Sequence, residues 1–168
     1  AMTMIYRNEK MSNLAGDEYR STDCNVTVAH TEVKCRNLPG IGYNHSYRVL
    51  VDGQVANSSV DVSSYARPEI DSVSMDGSSL LDGAGGERVT ITGTNFGPVI
   101  TANKVNATYV TPGGYKSPLA GAMYLARDCV VATAHTVITC TTVSGVGTDH
   151  RWRVFAGGQA SRESYETT

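Results

Sequence analysis

Short runs of alternating apolar and polar residues recur along most of the chain. Val89-Thr90-Ile91-Thr92 places two apolar side chains on one face of a strand and two hydroxyls on the other. A later run puts Trp152 and Val154 on one face and Arg151 and Arg153 on the other. Apolar residues are not repeated at the three- and four-residue spacing of an amphipathic helix, and turns rich in Gly, Asn, Asp and Pro separate the runs. The pattern predicts an all-β sandwich of short strands.

An internal repeat divides the sequence. The stretch from Cys24 to Gln54 recurs without gaps from Cys129 to Gln159, displaced by 105 positions. The match reaches upstream to Leu14 and Leu119. A register held this long indicates two related units, and we expect the boundary near Pro68, giving units 1–67 and 68–168. Coincident pairs are Cys24/Cys129, His30/His135, Cys35/Cys140, Gly40/Gly145, Gly42/Gly147, His45/His150, Arg48/Arg153 and Gly53/Gly158.

The two units differ at their beginnings. The second opens with predicted strands over 68–74 and 89–97, joined by a Gly-rich turn at 82–86. The shift of 105 aligns residue 1 with Asn106, so the first unit has no counterpart of 68–105 and is predicted to be an incomplete sandwich. Leaving about 500 Å² of apolar surface wet would cost roughly 12 kcal/mol, and a whole domain is stable by only about 5–15 kcal/mol. We therefore expect preceding residues or another molecule to supply the missing strands.

The four cysteines form two C-x10-C pairs, one in each unit. Zinc sites normally use cysteines two to four residues apart, so this spacing does not fit them. Repeat symmetry favours the disulfides Cys24–Cys35 and Cys129–Cys140 over other pairings, with four buried free thiols as the alternative. Each bond would contribute about 2–3 kcal/mol through the unfolded state, and disulfides imply an oxidising compartment.

Four sequons support the same compartment. Asn25, Asn44, Asn57 and Asn106 each begin an Asn-x-Ser/Thr triplet without proline, so we expect N-glycans there and allow O-glycans on the hydroxyl-rich turns. The 14 basic and 16 acidic residues give a net charge of −2, which disfavours nucleic-acid binding. No apolar run reaches membrane-spanning length. A secreted or cell-surface glycoprotein is predicted.

One stretch resembles a known family. Pro68-x-Ile70, followed by Gly85-Gly86-x-x-Val89-Thr90-Ile91-Thr92-Gly93-Thr94-Asn95-Phe96-Gly97, resembles the start of an IPT/TIG domain, although Met75 stands where that family commonly has proline. The pair Cys129 and Cys140, with Gly157-Gly158, resembles the rest of the extracellular version found in plexins and fibrocystin-like surface proteins. The resemblance covers 68–168, and 2–67 as the later two-thirds of a module. It implies an early-immunoglobulin-type sandwich for adhesion, ligand binding or domain spacing, without catalysis.

No residue pattern predicts a catalytic, cofactor or metal site. The four histidines repeat in step, but no carboxylate recurs with them, so a structural or surface role is favoured over a metal pair. Asp17, Glu18 and Asp23 are weak calcium candidates, since the second copy keeps only Asp128. No Gly-x-Ser-x-Gly nucleophile context occurs. Gly83 to Gly86 is interpreted as a turn rather than a phosphate loop, and Arg48 and Arg153 as a solvated strand face rather than a partner contact.

Three functions are compared. The preferred one is a non-catalytic extracellular structural or adhesive module that associates with neighbouring repeats or with itself, in a repeat array or a head-to-tail filament. The alternative is a ligand- or carbohydrate-binding ectodomain of a receptor or an enzyme accessory module, with Tyr6, Tyr43, Tyr115 and Tyr165 as candidate sugar platforms. The third, the intracellular transcription-factor branch of the family, is opposed by the acidic balance and the paired cysteines.

Overall fold

The chain folds into two all-β units. The computed structural model describes residues 1–8, 18–77, 80–99, 105–112 and 122–165. These residues form fourteen strands, and none of them lies in a helix. The strands divide between a first unit, Ala1–Tyr65, and a second, Ala66–Thr168, so this division lies two residues before the predicted one. The predicted all-β class is confirmed.

The second unit is a sandwich of two four-stranded antiparallel sheets. One sheet has the order β11-β12-β8-β7, and the other has the order β10-β9-β13-β14. Strand β8 lies inside its sheet, between β12 and β7. The strands are β7 (Glu69–Met75), β8 (Arg88–Thr94), β9 (Val105–Val110), β10 (Met123–Leu125), β11 (Arg127–Thr133), β12 (Val137–Thr141), β13 (Arg151–Ala156) and β14 (Gln159–Ala160).

The first unit has one such sheet and half of the other. Its four-stranded sheet has the order β2-β1-β5-β6, and β3 and β4 form a separate two-stranded sheet. In pairing and order these six strands match β9 to β14, and the described residues of the first unit contain no counterpart of β7 or β8. The strands are β1 (Met2–Asn8), β2 (Glu18–Ser21), β3 (Cys24–Val28), β4 (Glu32–Cys35), β5 (His45–Val51) and β6 (Gln54–Val55).

The strand register corrects one detail of the repeat. Thr3 pairs with Leu50 in the first unit, and Asn106 pairs with Phe155 in the second. Because Leu50 and Phe155 are equivalent, Asn106 corresponds to Thr3, and the expected alignment with residue 1 is wrong. The displacement is 103 in β1 and β9, since Tyr109 and Met123 are two residues further apart in the sequence than Tyr6 and Glu18. Met2 therefore corresponds to Val105.

The core of the second unit lies between its two sheets. Val89 and Ile91 of β8, Ile138 of β12 and Trp152 and Val154 of β13 are fully buried. Thr90 and Thr92 alternate with the first two, as the pattern predicts. Burying each large apolar side chain contributes about 1.5–3 kcal/mol, so the seam between the sheets holds this unit together.

In each unit a buried tyrosine binds backbone that lies outside the sheets. The Tyr109 ring stacks on Trp152 with 4.5 Å between centroids. Its hydroxyl donates to the carbonyl oxygen of Val143 and accepts from the N–H of the same residue, both at 3.0 Å. Tyr6 does the same in the first unit, accepting from the Leu38 N–H at 2.8 Å. The hydroxyl satisfies polar backbone groups that no strand pairs.

A second tyrosine in each unit explains a repeated glycine. The hydroxyl of Tyr19 accepts from the Ile41 N–H at 2.9 Å, and Tyr124 makes the equivalent bond to Val146 at 3.2 Å. A Cβ at Gly40 would approach the Tyr19 ring to 2.6 Å, and one at Gly145 would approach Tyr124 to 2.7 Å. Only glycine leaves room for the ring at these positions.

Replacing Tyr109 with phenylalanine should destabilise the second unit. The change leaves the Val143 N–H and C=O without their partner, which costs about 1–3 kcal/mol and lowers the melting temperature by several degrees. Trp152 is the single tryptophan, so its fluorescence reports unfolding of this unit. The matched control, Tyr165→Phe, removes a hydroxyl from a side chain that is 92% exposed and should change nothing. Equal melting of both variants and the parent would contradict this role for Tyr109.

Candidate functional site

The first unit presents apolar side chains where the second unit buries them. Val26 on β3 is 56% exposed and Val33 on β4 is 36% exposed. Their counterparts, Val131 and Ile138, are 5% and 0% exposed. Val51 on β5 is also exposed, whereas its counterpart Ala156 is buried. We call the surface formed by Val26, Val33 and Val51 the open face.

In the second unit, β7 and β8 continue the sheet beyond the strand that is equivalent to β4. Along β12, Ile138 pairs with Ile91 and Cys140 pairs with Val89. In the first unit the equivalent strand β4 pairs with β3 alone. The open face and the unpaired edge of β4 therefore have one cause, the missing pair of strands. An unpaired edge of this kind is a template for pairing with another strand.

The turn between β3 and β4 keeps the conformation that receives β8 in the second unit. There, Phe96 donates its N–H to the His135 carbonyl oxygen at 3.2 Å, and the His135 N–H donates to the carbonyl oxygen of Gly97. His135 has a φ of 65°, and its counterpart His30 has a φ of 63°. The backbone N–H and C=O of His30 have no hydrogen-bond partner among the described residues. The receiving turn is formed although no strand occupies it.

The other end of β8 is fixed by a polar contact that the first unit lacks. The Thr142 hydroxyl accepts from the N–H of Gly86 and of Glu87, and it donates to the Glu87 carboxylate. That hydrogen bond lowers the pKa of Glu87 below its usual value, against the opposing effect of desolvation. The counterpart of Thr142 is Asn37, which is exposed.

Both predicted disulfides are present, and they differ in exposure. Cys24–Cys35 and Cys129–Cys140 each join facing residues of one hairpin. The second pair is buried, whereas both cysteines of the first pair are half-buried. The part of the chain that the structure describes contains no free cysteine.

All four sequon asparagines are exposed. Asn44 directly precedes β5 and has a φ of 53°, while Asn25 and Asn106 lie on strands β3 and β9. Asn57 follows β6. Exposure permits glycosylation at each position, and the modification itself stays a prediction.

The other candidate residues have local structural partners. His45 and His150 are buried with their rings edge-on to tyrosines, His150 at 5.4 Å from Tyr109. The described residues contain no group of three possible metal ligands and no helix able to cross a membrane. Four ion pairs join Glu18 to Arg7 and to Arg20, Asp23 to Arg36 and Arg153 to Glu163. Arg48 donates a hydrogen bond to the Ser58 hydroxyl. Asp17 lies outside the described residues.

The predicted sugar platforms do not form one surface. Tyr6 is buried, so its interpretation as an exposed platform is wrong. The hydroxyl of Tyr6 forms a hydrogen bond with the hydroxyl of Tyr65. The pKa of Tyr65 is raised well above its usual value, mainly by burial and secondly by this hydrogen bond. Tyr43 is half-buried, Tyr165 is exposed, and Tyr115 lies outside the described residues.

No sequence pattern predicted the cleft that lies in the second unit. It measures about 250 Å³ and lies between the turn at 81–83 and the segment 143–147, with Tyr109 and His150 in its wall. Both ring nitrogens of the buried His150 have no hydrogen-bond partner in the part of the chain that the structure describes. The cleft can accept a small polar molecule.

The difference in burial predicts a difference in reactivity between the two disulfides. Under mild reduction with an alkylating reagent present, Cys24 and Cys35 should be labelled before Cys129 and Cys140, because a reductant must reach the sulfur atoms. Peptide mapping by mass spectrometry gives the order. Simultaneous labelling of both pairs, while Trp152 fluorescence shows the second unit folded, would contradict the open face.

Comparison with protein families identifies the second unit. Residues 68–168 match the IPT/TIG domain, and this match covers more than half of the chain. No curated protein and no solved structure matches the chain. The matched range begins at buried Pro68 and includes β7, β8, the Cys129–Cys140 hairpin and the core around Trp152. The chain therefore belongs to the IPT/TIG domain family.

Proposed function

We propose that this chain is a non-catalytic structural or adhesive module, part of a repeat array or a head-to-tail filament in which strands from a neighbour complete the first unit. The observation that carries the proposal is the exposure of Val26 and Val33, whose counterparts are buried in the complete sandwich of the second unit. IPT/TIG domains are generally non-catalytic immunoglobulin-like modules of surface or signalling proteins.

The extracellular branch of the family fits the chemistry of this chain best. Two disulfides are formed, and such bonds persist in oxidising compartments. The exposed sequons at Asn25, Asn44, Asn57 and Asn106 support a glycoprotein. We assign the first unit to the same family as a partial module, on its shared strand order and tyrosine contacts. The intracellular branch is disfavoured because its compartments keep thiols reduced.

The proposed contact is directional. The open face belongs to the first unit, and the second unit buries the equivalent surface under its own strands. If the open face of one molecule binds a different surface of the next molecule, the contact is heterologous. Such contacts repeat into an open filament when the rotation between successive molecules does not close a ring. Covering Val26 and Val33 would contribute on the order of 1 kcal/mol each, and a new backbone ladder along β4 would add to this.

Association should depend on the open face. Light scattering coupled to size-exclusion chromatography should show concentration-dependent association of the full chain. Val33→Asp should weaken it at least about tenfold, because a carboxylate would be buried unpaired at the contact. The matched control, Val60→Asp, changes a valine of the same unit that is 98% exposed, and it should associate like the parent. A chain that stays monomeric at every concentration, or equal behaviour of both variants, would refute self-association through this face.

The glycoprotein assignment can be tested separately. Intact mass of material from the native source should fall on enzymatic removal of N-glycans, with modified asparagines among Asn25, Asn44, Asn57 and Asn106. Unmodified asparagines together with four free thiols would refute the extracellular assignment and favour the intracellular branch.

A ligand-binding ectodomain is the second candidate, favoured by the cleft beside His150. Its volume, about 250 Å³, is below the roughly 300–1,000 Å³ of typical ligand pockets. The His150 ring nitrogens, which have no hydrogen-bond partner among the described residues, suit a ligand no larger than one sugar ring. Titration with monosaccharides tests this function through a change in Trp152 fluorescence. If no monosaccharide changes the fluorescence, sugar binding in the cleft is refuted.

A further inference from the structure

We propose that the partner of the first unit is a two-stranded β-hairpin with the sequence pattern of β7 and β8, docked along β4 in the register that β8 takes along β12. This inference rests on the proposed function, because it assumes that strands from elsewhere complete the first unit. It adds the chemistry of the partner and the residues that it meets.

The register follows from the equivalence of β4 and β12. Val33 occupies the position of Ile138, and Cys35 occupies that of Cys140. The partner must therefore place one apolar residue opposite Val33, as Ile91 stands opposite Ile138, and another opposite Cys35. Lys34, on the other side of the strand, replaces Thr139 and is exposed. A polar or charged residue suits the intervening position of the partner.

The His30 turn adds a second requirement. In the second unit the equivalent turn binds the backbone of Phe96 and Gly97, and Gly93 donates its N–H to the Thr136 carbonyl oxygen at 2.9 Å. A Cβ at Gly93 would lie 2.0 Å from the carbonyl oxygen of Glu69, so the close approach of β7 requires glycine there. The partner pattern is therefore apolar-x-apolar-x-Gly, as in residues 89–93, followed by backbone that can bind the turn.

A hairpin fits better than a single strand. In the second unit β8 is paired on both edges, with β12 on one side and β7 on the other. A single strand on β4 would create a new unpaired edge. Strand β7 also contributes half-buried Ile70, Val73 and Met75 to its own sandwich. Within the described residues β7 and β8 are already used by the second unit, so in this proposal a neighbouring molecule supplies the hairpin.

A grafted hairpin tests the proposal. A copy of residues 66–104 replaces Ala1 directly before Met2, because Met2 corresponds to Val105. We expect alkylation of Cys24 and Cys35 under mild reduction to slow by about tenfold or more, with similar slowing of amide exchange in β4. Association through the open face should be lost because the face is filled. The matched control carries aspartate at the copied positions of Val89 and Ile91 and should give no protection.

Cross-linking tests the register. Val33→Cys combined with cysteine at the copied position of Ile91 should form a mapped disulfide, because these residues face each other in the proposed pairing. Cysteine at the copied position of Thr92 should not pair with it, since adjacent strand residues point to opposite faces. The reverse result would overturn the register.

The outcomes separate this inference from the proposed function. Association of the parent chain without protection by the graft would overturn the hairpin partner and leave assembly through another contact. Protection in a chain that never associates would support the partner and refute self-association. Should the graft misfold, as judged by Trp152 fluorescence, a synthetic peptide of residues 66–99 added to the full chain replaces it, with the same aspartate control. Equal protection by a peptide of residues 86–99 alone would overturn the need for a hairpin.

Discussion

The hydrogen-bonded ladder between β8 and β12 is the interaction on which the second unit depends. It joins β7 and β8 to the rest of the fold, and it brings Val89 and Ile91 over a core that closes on Trp152. The first unit has the receiving strand and the receiving turn without this ladder, so residues equivalent to core positions remain in water. The two units thus show one architecture with and without its central strand.

Local order in the first unit does not require the missing strands. Tyr6 and Tyr19 bind the backbone at Leu38 and Ile41 through their hydroxyls, and a disulfide joins β3 to β4. These contacts involve the sheet β2-β1-β5-β6 and the segment that follows β4, and none of them involves a counterpart of β8. This explains how the His30 turn keeps the conformation of the His135 turn although no described residue bonds to its backbone.

The sequence predicted the strands that show alternating side chains and the disulfides that recur in both repeats. Alternation identified β8 and β13, and the constant spacing of the cysteines identified both disulfides. The gap-free shift of 105 positions does not hold for β1 and β9, where the displacement is 103. This difference hid the equivalence of Tyr6 and Tyr109. Tyr6 was therefore mistaken for a surface residue. Bonds from a tyrosine hydroxyl to backbone more than thirty positions away leave no periodic signal, and neither does the cleft beside His150.

The alternation of side chains along β3 places the glycosylation sequon and the open face on opposite sides of the hairpin. Successive residues of a strand point to opposite sides, so Asn25 points away from the side on which Val26 contributes to the open face. An oligosaccharide on Asn25 would grow outward from the hairpin and leave the valine surface clear. The five-residue strand β3 can therefore carry a glycan on one side and contact a neighbouring module on the other.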